Sequence, residues 1–304
     1  MKKALLQLHI AILLGGFSGI LGRLIDLKEG PLVWYRMGIA SLVLFIFLSS
    51  TGRMKWVSTA EALKLLGVGC FLAIHWLCFY GSIKYANVSV ALVCFSASAF
   101  FSALLDPLIL RRRVSWMEIF LSLIAVAGIY VILHFDQHFA LGILLGTAAA
   151  FFSALFTVLS KKLTEKHDPY TLSFYELVSG FAFLTLLMPL YLRLFPDTSL
   201  TPGWMDWLYL GILSIACTVL AFFLAFSSLK TISPFTTNLS YNLEPLYGIL
   251  LAFLIFHENT HLNDQFLWGC LLILVSVGLQ SLRMSRVYKK IPKRFTNRFR
   301  IPWG

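Results

Sequence analysis

From Ala4 to Leu282 the chain is a succession of apolar runs, each about twenty residues long, parted by short polar stretches. A helix of that length crosses a bilayer core about 30 Å thick. Lipid offers the backbone no hydrogen-bond partner, so such runs must close their own hydrogen bonds as spanning helices. Charged residues make up 13% of the chain and apolar residues 59%, against about 25% and about 45–50% in soluble domains. A conventional soluble enzyme, a fibre and a disordered chain are excluded. The expected class is an all-α integral membrane protein embedded in the lipid bilayer.

Ten candidate spans fall at 4–22, 31–50, 61–83, 87–110, 115–134, 140–162, 169–190, 205–228, 234–256 and 263–282. Ser58 with Glu61 and Ser115 with Glu118 have the spacing of capping boxes. Asp168-Pro169 and Ser233-Pro234 set a capping side chain before a proline at the first helical position. The first run follows Lys2 and Lys3 but lacks an A-x-A cleavage site, so it is expected to be retained. All five cysteines fall inside apolar runs without a CxxC pair, which points to packing and not to a thiolate metal site.

The net charge of +11 does not signal nucleic acid, because no soluble domain carries a basic face. Eight of the 25 basic residues lie from Arg283 to Arg300, and most others sit in short loops. With the N-terminus inside, the cytoplasmic side collects Arg53, Lys55, Lys64, Arg111–Arg113, Lys161, Lys162, Lys166, Lys230 and the tail. The other side keeps Arg23, Lys28, Lys84 and Arg193. The positive-inside rule then puts both termini in the cytoplasm of a plasma (inner) membrane protein. The basic tail, 283–304, is expected to meet anionic lipids or to remain solvated.

The chain also repeats. Ser82-Ile83-Lys84-Tyr85 returns as Ser228-Leu229-Lys230-Thr231, and Pro31 and Pro169 each open the second span of a half. Five spans per half force the second half to enter the membrane from the opposite side. The organisation expected is a first repeat over 1–134, a second over 140–282, then the tail. Such inverted repeats are a mark of secondary transporters, with the substrate site between the halves.

Leu243-Glu244-Pro245, His257-Glu258 and Leu262-Asn263 in the second half, with Leu105-Asp106-Pro107 in the first, resemble the motifs of the EamA family of drug/metabolite transporters. Arg112 stands where that family has a glutamate, and two extra residues separate Glu258 from Leu262. Counted from the helix ends, the two acid–proline pairs are not symmetry mates. The resemblance implies ten transmembrane helices as two inverted five-helix repeats around a central cavity. It also implies alternating access for a small organic metabolite, an amino acid or amine among the candidates, with export the expected direction.

A charge near the bilayer centre costs about 2.5–3.5 kcal/mol or more, so intramembrane acids and bases mark sites or pairs. Glu244 is expected mid-span, where Pro245 should free the Tyr241 carbonyl. With Asn238, Tyr241 and Asn242 it forms a polar cluster able to bind a substrate amine or a proton. Arg36 and Glu176 occupy similar places in the two halves; a mutual ion pair is the favoured reading, with binding of a zwitterion the other. His75, Trp76 and Tyr80 line one stretch of the third span, as cavity residues or as packing with one satisfied imidazole. Asp106, beside Arg111–Arg113, reads as a gate or boundary contact.

His257-Glu258-Asn259-Thr260-His261 matches the zinc-protease pattern H-E-x-x-H. That chemistry needs a continuous helix, and here the motif straddles a loop between spans. An integral membrane zinc-dependent hydrolase is therefore the alternative reading, and a non-transporting sensor or scaffold using the tail is a third. No Walker loop is present, so ATP hydrolysis within the chain is not expected. Neither cofactor nor metal is expected, and a homodimer is left open.

Overall fold

The computed structural model describes residues 2–111, 116–135, 139–163, 166–229, 243–257 and parts of 264–282. Every regular element in these described stretches is helical. In chain order they are α1 (Lys2–Leu24), α2 (Glu29–Ser50), α3 (Thr59–Tyr85), α4 (Val88–Phe95), α5 (Ser98–Leu110), α6 (Trp116–Phe135), α7 (Ala140–Leu163) and α8 (Pro169–Leu194). Then follow α9 (Trp204–Ser214), a π-helical stretch (Ile215–Leu220), α10 (Ala221–Leu229) and α11 (Glu244–Phe256).

Seven segments among the described residues are long and apolar enough to cross a membrane. The expected ninth span is described only from Leu243 onward, and the tenth only in part, including an apolar helix Leu267–Ser276. The helix starts are built as the side chains dictate. Ser58 Oγ accepts the Glu61 N–H at 3.4 Å, and Asp168 Oδ1 accepts the Thr171 N–H at 3.2 Å. Ser115 and Ser233 lie outside the described residues. Trp56, Trp116 and Trp204, each beside or at a helix start, are about four-fifths exposed, as suits aromatic anchors at a membrane interface.

Two spans depart from plain α-helix. The fourth is interrupted at Ser96–Ala97, where Ser96 Oγ turns back to the Leu92 carbonyl at 3.2 Å. The eighth widens into the π-helical stretch midway. Glu244 stands in the first turn of α11, with Pro245 beside it, where the described part of the expected ninth span begins. A carboxylate there faces the positive end of the helix dipole. Both α5 and α11 have 13 residues, and both stop at a residue with φ of 53°, Arg111 and His257. Counted back from those ends, Ser98 and not Asp106 matches Glu244.

In lipid, apolar side chains gain little by leaving their surroundings, so close packing and polar links hold helices together. Accordingly α3 lies against α7 and α8, α2 against α8 and α9, and α1 against α10 and α11. The α1–α11 crossing is built on glycine: a Cβ on Gly16 would lie 2.9 Å from the Gly248 nitrogen. Polar links tie the ends. Lys55 meets Asp168 at 2.9 Å, and Tyr175 Oη accepts the Val57 N–H at 3.2 Å. At the other end Asp206 accepts the N–H groups of Asp26 and Gly203, and the Lys84 ammonium donates to the Ile25 carbonyl.

Asp168 sits outside the spans and is both cap and counter-ion. Its partial burial opposes its charge, but the Lys55 ammonium and the Thr171 hydroxyl and N–H outweigh that and hold the carboxyl below the usual range. A carboxyl depressed in the folded state stabilises above its unfolded pKa, about 3.9, and that help fades as pH falls through the folded value. Asp168→Ala should cost about 1 kcal/mol at neutral pH, and Asp168→Asn, which still caps, should cost less. Thermal melts in detergent should show wild type losing its advantage over the Asn variant below about pH 4.

Candidate functional site

Arg36 lies on α2 and is 4% exposed. A guanidinium stays charged at any accessible pH, so its burial requires partners on every side. Nη1 donates to Tyr80 Oη at 2.5 Å, and Nε donates to Thr218 Oγ1 at 3.0 Å. The flat face of the cation lies 3.9 Å from the Trp76 ring centroid, a contact worth about 2 kcal/mol when water is excluded. Three elements thus converge on one side chain: α2 supplies the cation, α3 the tyrosine and tryptophan, and the π-helical stretch the threonine.

Each partner is itself placed by a local feature. Tyr80 is fully buried and donates its hydroxyl proton to the Ser18 carbonyl at 3.4 Å. Its ring lies flat over Gly22 of α1, where a Cβ would come within 2.4 Å of two ring carbons. Thr218 donates to the Leu213 carbonyl at 3.0 Å, five residues back. That spacing is the π-helical register, and π-bulges recur at functional sites. The hydroxyl is then committed as a donor and offers its lone pairs to Arg36.

Glu244 comes from the opposite half of the chain. Its carboxyl lies over Gly15, where a Cβ would sit 2.9 Å from both Cδ and Oε1. It is partly exposed and feels the charge of Arg36, and the Tyr80 hydroxyl feels both. A buried cation and a carboxylate therefore share one locality, with an aromatic face beside them. Such a centre can hold the two ends of a zwitterion, or an acid and an amine in turn.

The remaining candidates sort by contact. Arg36 and Glu176 do not pair: Glu176 is bonded by Ser160 Oγ at 2.7 Å, and the cation is taken by Tyr80, Thr218 and Trp76. The two side chains leave neighbouring helices in different directions, which equal sequence position could not reveal. His75 joins α3 to α7, its Nδ1 2.9 Å from the Ala149 carbonyl, and its ring packs on Phe95. A carbonyl only accepts, so Nδ1 carries the proton. Asp106 stands half-buried in α5, four residues before its end. Asn238, Tyr241 and Asn242 lie outside the described residues, as do Glu258 and His261. His257 ends α11 in a left-handed conformation.

Three groups escaped sequence reading: Thr218, Ser160 and Gly15. Thr218 and Ser160 sit among many serines and threonines in apolar runs, and no spacing sets them apart. Gly15-Gly16 was visible as a pair, but its partner across the seam was not.

Comparison with known proteins gives a consistent result. The EamA-like transporter family matches residues 2–134 and again 140–282. The uncharacterized transporter YxxF of Bacillus subtilis is 25% identical over 257 residues, covering 82% of this chain and 80% of its own. The biotin transporter of Escherichia coli (strain K12) is 26% identical over 253 residues, covering 81% of each chain. A solved crystal structure superposes with a TM-score of 0.63 at 18% identity, over 93% of this chain and 98% of the other, which speaks to the fold alone.

The Arg36 centre should respond to loss of either acceptor. Thr218→Val and Tyr80→Phe each leave a buried N–H unpaired and should destabilise the protein by about 1–3 kcal/mol. The double variant should depart from the sum, because both act on one cation. Thermal unfolding of the four proteins measures this; strict additivity would mean the two bonds are independent.

Proposed function

The chain belongs to the EamA-like transporter family and is a multi-pass membrane transporter; on that premise we propose that Arg36 and Glu244 are its substrate-binding centre. The observation that carries this is that Arg36 donates to the Tyr80 hydroxyl while Glu244, from the opposite half of the chain, lies within electrostatic reach of both. Transporters built as inverted repeats bind cargo where the halves meet. The halves are two inverted five-helix repeats, residues 1–134 and 140–282, and the equal ends of α5 and α11 support that layout.

The chemistry favours a small organic solute carrying a carboxylate, an amine or both. Arg36 offers donors to an anion, Glu244 accepts from an amine, and Trp76 presents an apolar face. Alternating access moves the solute, with export the proposed direction. Arg36 and Tyr80 are both shut off from solvent here, which suits a conformation closed around its centre. Both termini face the cytoplasm of the plasma membrane, where the basic tail lies against anionic lipid.

The experiment is a thermal-shift panel on purified protein with amino acids, amines, organic acids and biotin, followed by flux in proteoliposomes with the solute that stabilises. A ligand that binds only the folded state raises its melting point by mass action. Glu244→Gln and Arg36→Gln should each weaken that shift and cut flux by about tenfold or more, the equivalent of one lost charge-assisted contact of about 1.5–3 kcal/mol. Undiminished binding and flux in both variants would remove the centre from the transport path.

A further inference from the structure

Among the described residues Glu176 is the most deeply buried carboxyl, and the Arg36 centre does not use it. It stands seven residues into α8 and is 4% exposed. Ser160 Oγ of α7 donates to Oε1 at 2.7 Å. Among the described residues no cation lies within ion-pair distance of it. The backbone around it is clamped. A Cβ on Gly69 of α3 would lie 2.5 Å from the Glu176 carbonyl oxygen and 2.6 Å from Ser179 Cβ. One turn on, a Cβ on Gly180 would lie 2.1 Å from Met37 Cε of α2. The backbone at Glu176 is therefore pressed against α3, while its buried carboxyl reaches Ser160 of α7.

Among the described side chains, the charged groups of the neighbouring elements are exposed or committed elsewhere. On α2, Arg36 is bound by Tyr80, Thr218 and Trp76. On α3, one turn either side of Gly69 stand buried Leu65, Leu72 and Ala73. His75 of the same helix is bonded to the Ala149 carbonyl, Lys64 is exposed, and Glu61 faces His167 at 3.8 Å. On α8, Tyr175 is directed at the Val57 N–H. On α7, Lys162 is exposed at the helix end. A carboxylate anion accepts about four hydrogen bonds, and a buried ion left unpaired costs several kcal/mol. One neutral hydroxyl does not offset that, whereas a carboxylic acid needs no counter-ion.

We propose that Glu176 is a proton-binding site, separate from the Arg36–Glu244 centre, that holds its proton while α8 is packed on α3 and α7 and gives it up to water when they part. The step is an acid dissociation: the O–H bond breaks, the proton passes to water, and a hydrated carboxylate remains. In a carrier that opens to each side in turn, the group exchanges its proton with whichever side wets it, which ties helix movement to a proton gradient. Ser160 is a positioning residue: its hydroxyl fixes the carbonyl oxygen of the acid.

The test is infrared difference spectroscopy on the full chain in liposomes, with pH and D2O as the only probes. At neutral pH wild type should show a protonated-carboxyl C=O band that disappears entirely in Glu176→Gln and persists in Glu244→Gln. Ser160→Ala should shift the band without removing it, and the downshift in D2O should lag behind the exchange of solvent-exposed groups, because release needs the helices to open. Spectra of wild type and Glu176→Gln that carry the same carboxyl bands at neutral pH would overturn the proposal, as would an immediate D2O shift. Should Glu176→Gln fail to reconstitute, Ser160→Ala decides alone, since an unmoved band means that this carboxyl is not the proton carrier. None of these readouts involves cargo, so their failure leaves the Arg36–Glu244 reading intact and is told apart from it.

Discussion

A guanidinium inside a membrane protein cannot shed its charge, and the interior of this chain is arranged around that fact. Arg36 needs an acceptor for each N–H it presents and a polarisable surface against its face. Tyr80 and Thr218 accept from two of its N–H groups and Trp76 covers its face, and the tyrosine and threonine are each accommodated by a local feature of the fold. On α1, glycine at position 22 makes room for the tyrosine ring, and the eighth span loosens to π register so that Thr218 can donate backward and accept forward. The glycine at 22 and the π-helical stretch are thus both tied to one buried cation.

The same requirement explains why a carboxylate from the far half belongs nearby. Glu244 is partly exposed at the start of α11, within the field of Arg36, and over a glycine that lets it approach. Hydroxyls and an aromatic face satisfy geometry but do not cancel charge. Glu244 lies within reach of that charge without contacting it, which is what the proposed substrate centre requires. Glu176 is the contrast: equal in sequence position to Arg36, and held by a hydroxyl with no cation in ion-pair distance among the described residues.

Seven of the spans and several caps were legible because they depend on local sequence. Run length decides whether a helix crosses, and Ser58 and Asp168 cap through neighbours three residues away. What a side chain meets was another matter. A helix that is apolar on every face gives no periodicity to tell lipid from interior, so Arg36 and Glu176 looked like a pair when one turns to α3 and the other to α7. The break at Ser96–Ala97 and the π stretch were invisible for a related reason, since both arise from contacts made after the helices assemble. H-E-x-x-H shows the opposite failure, a literal match whose first histidine is a left-handed helix stop.

The glycine seam between α1 and α11 has a mechanical meaning. Where Gly16 meets Gly248 the two helices touch backbone to backbone, while elsewhere along the seam Leu8 and Ile12 of α1 pack with Leu243 and Tyr247. Interdigitated helices must unmesh to move, passing through strained rotamers, whereas smooth surfaces slide with little change in contact. At the glycines the crossing therefore acts as a plain bearing. A small roll of α11 on it would carry the Glu244 carboxyl off Gly15 and change its distance from Arg36.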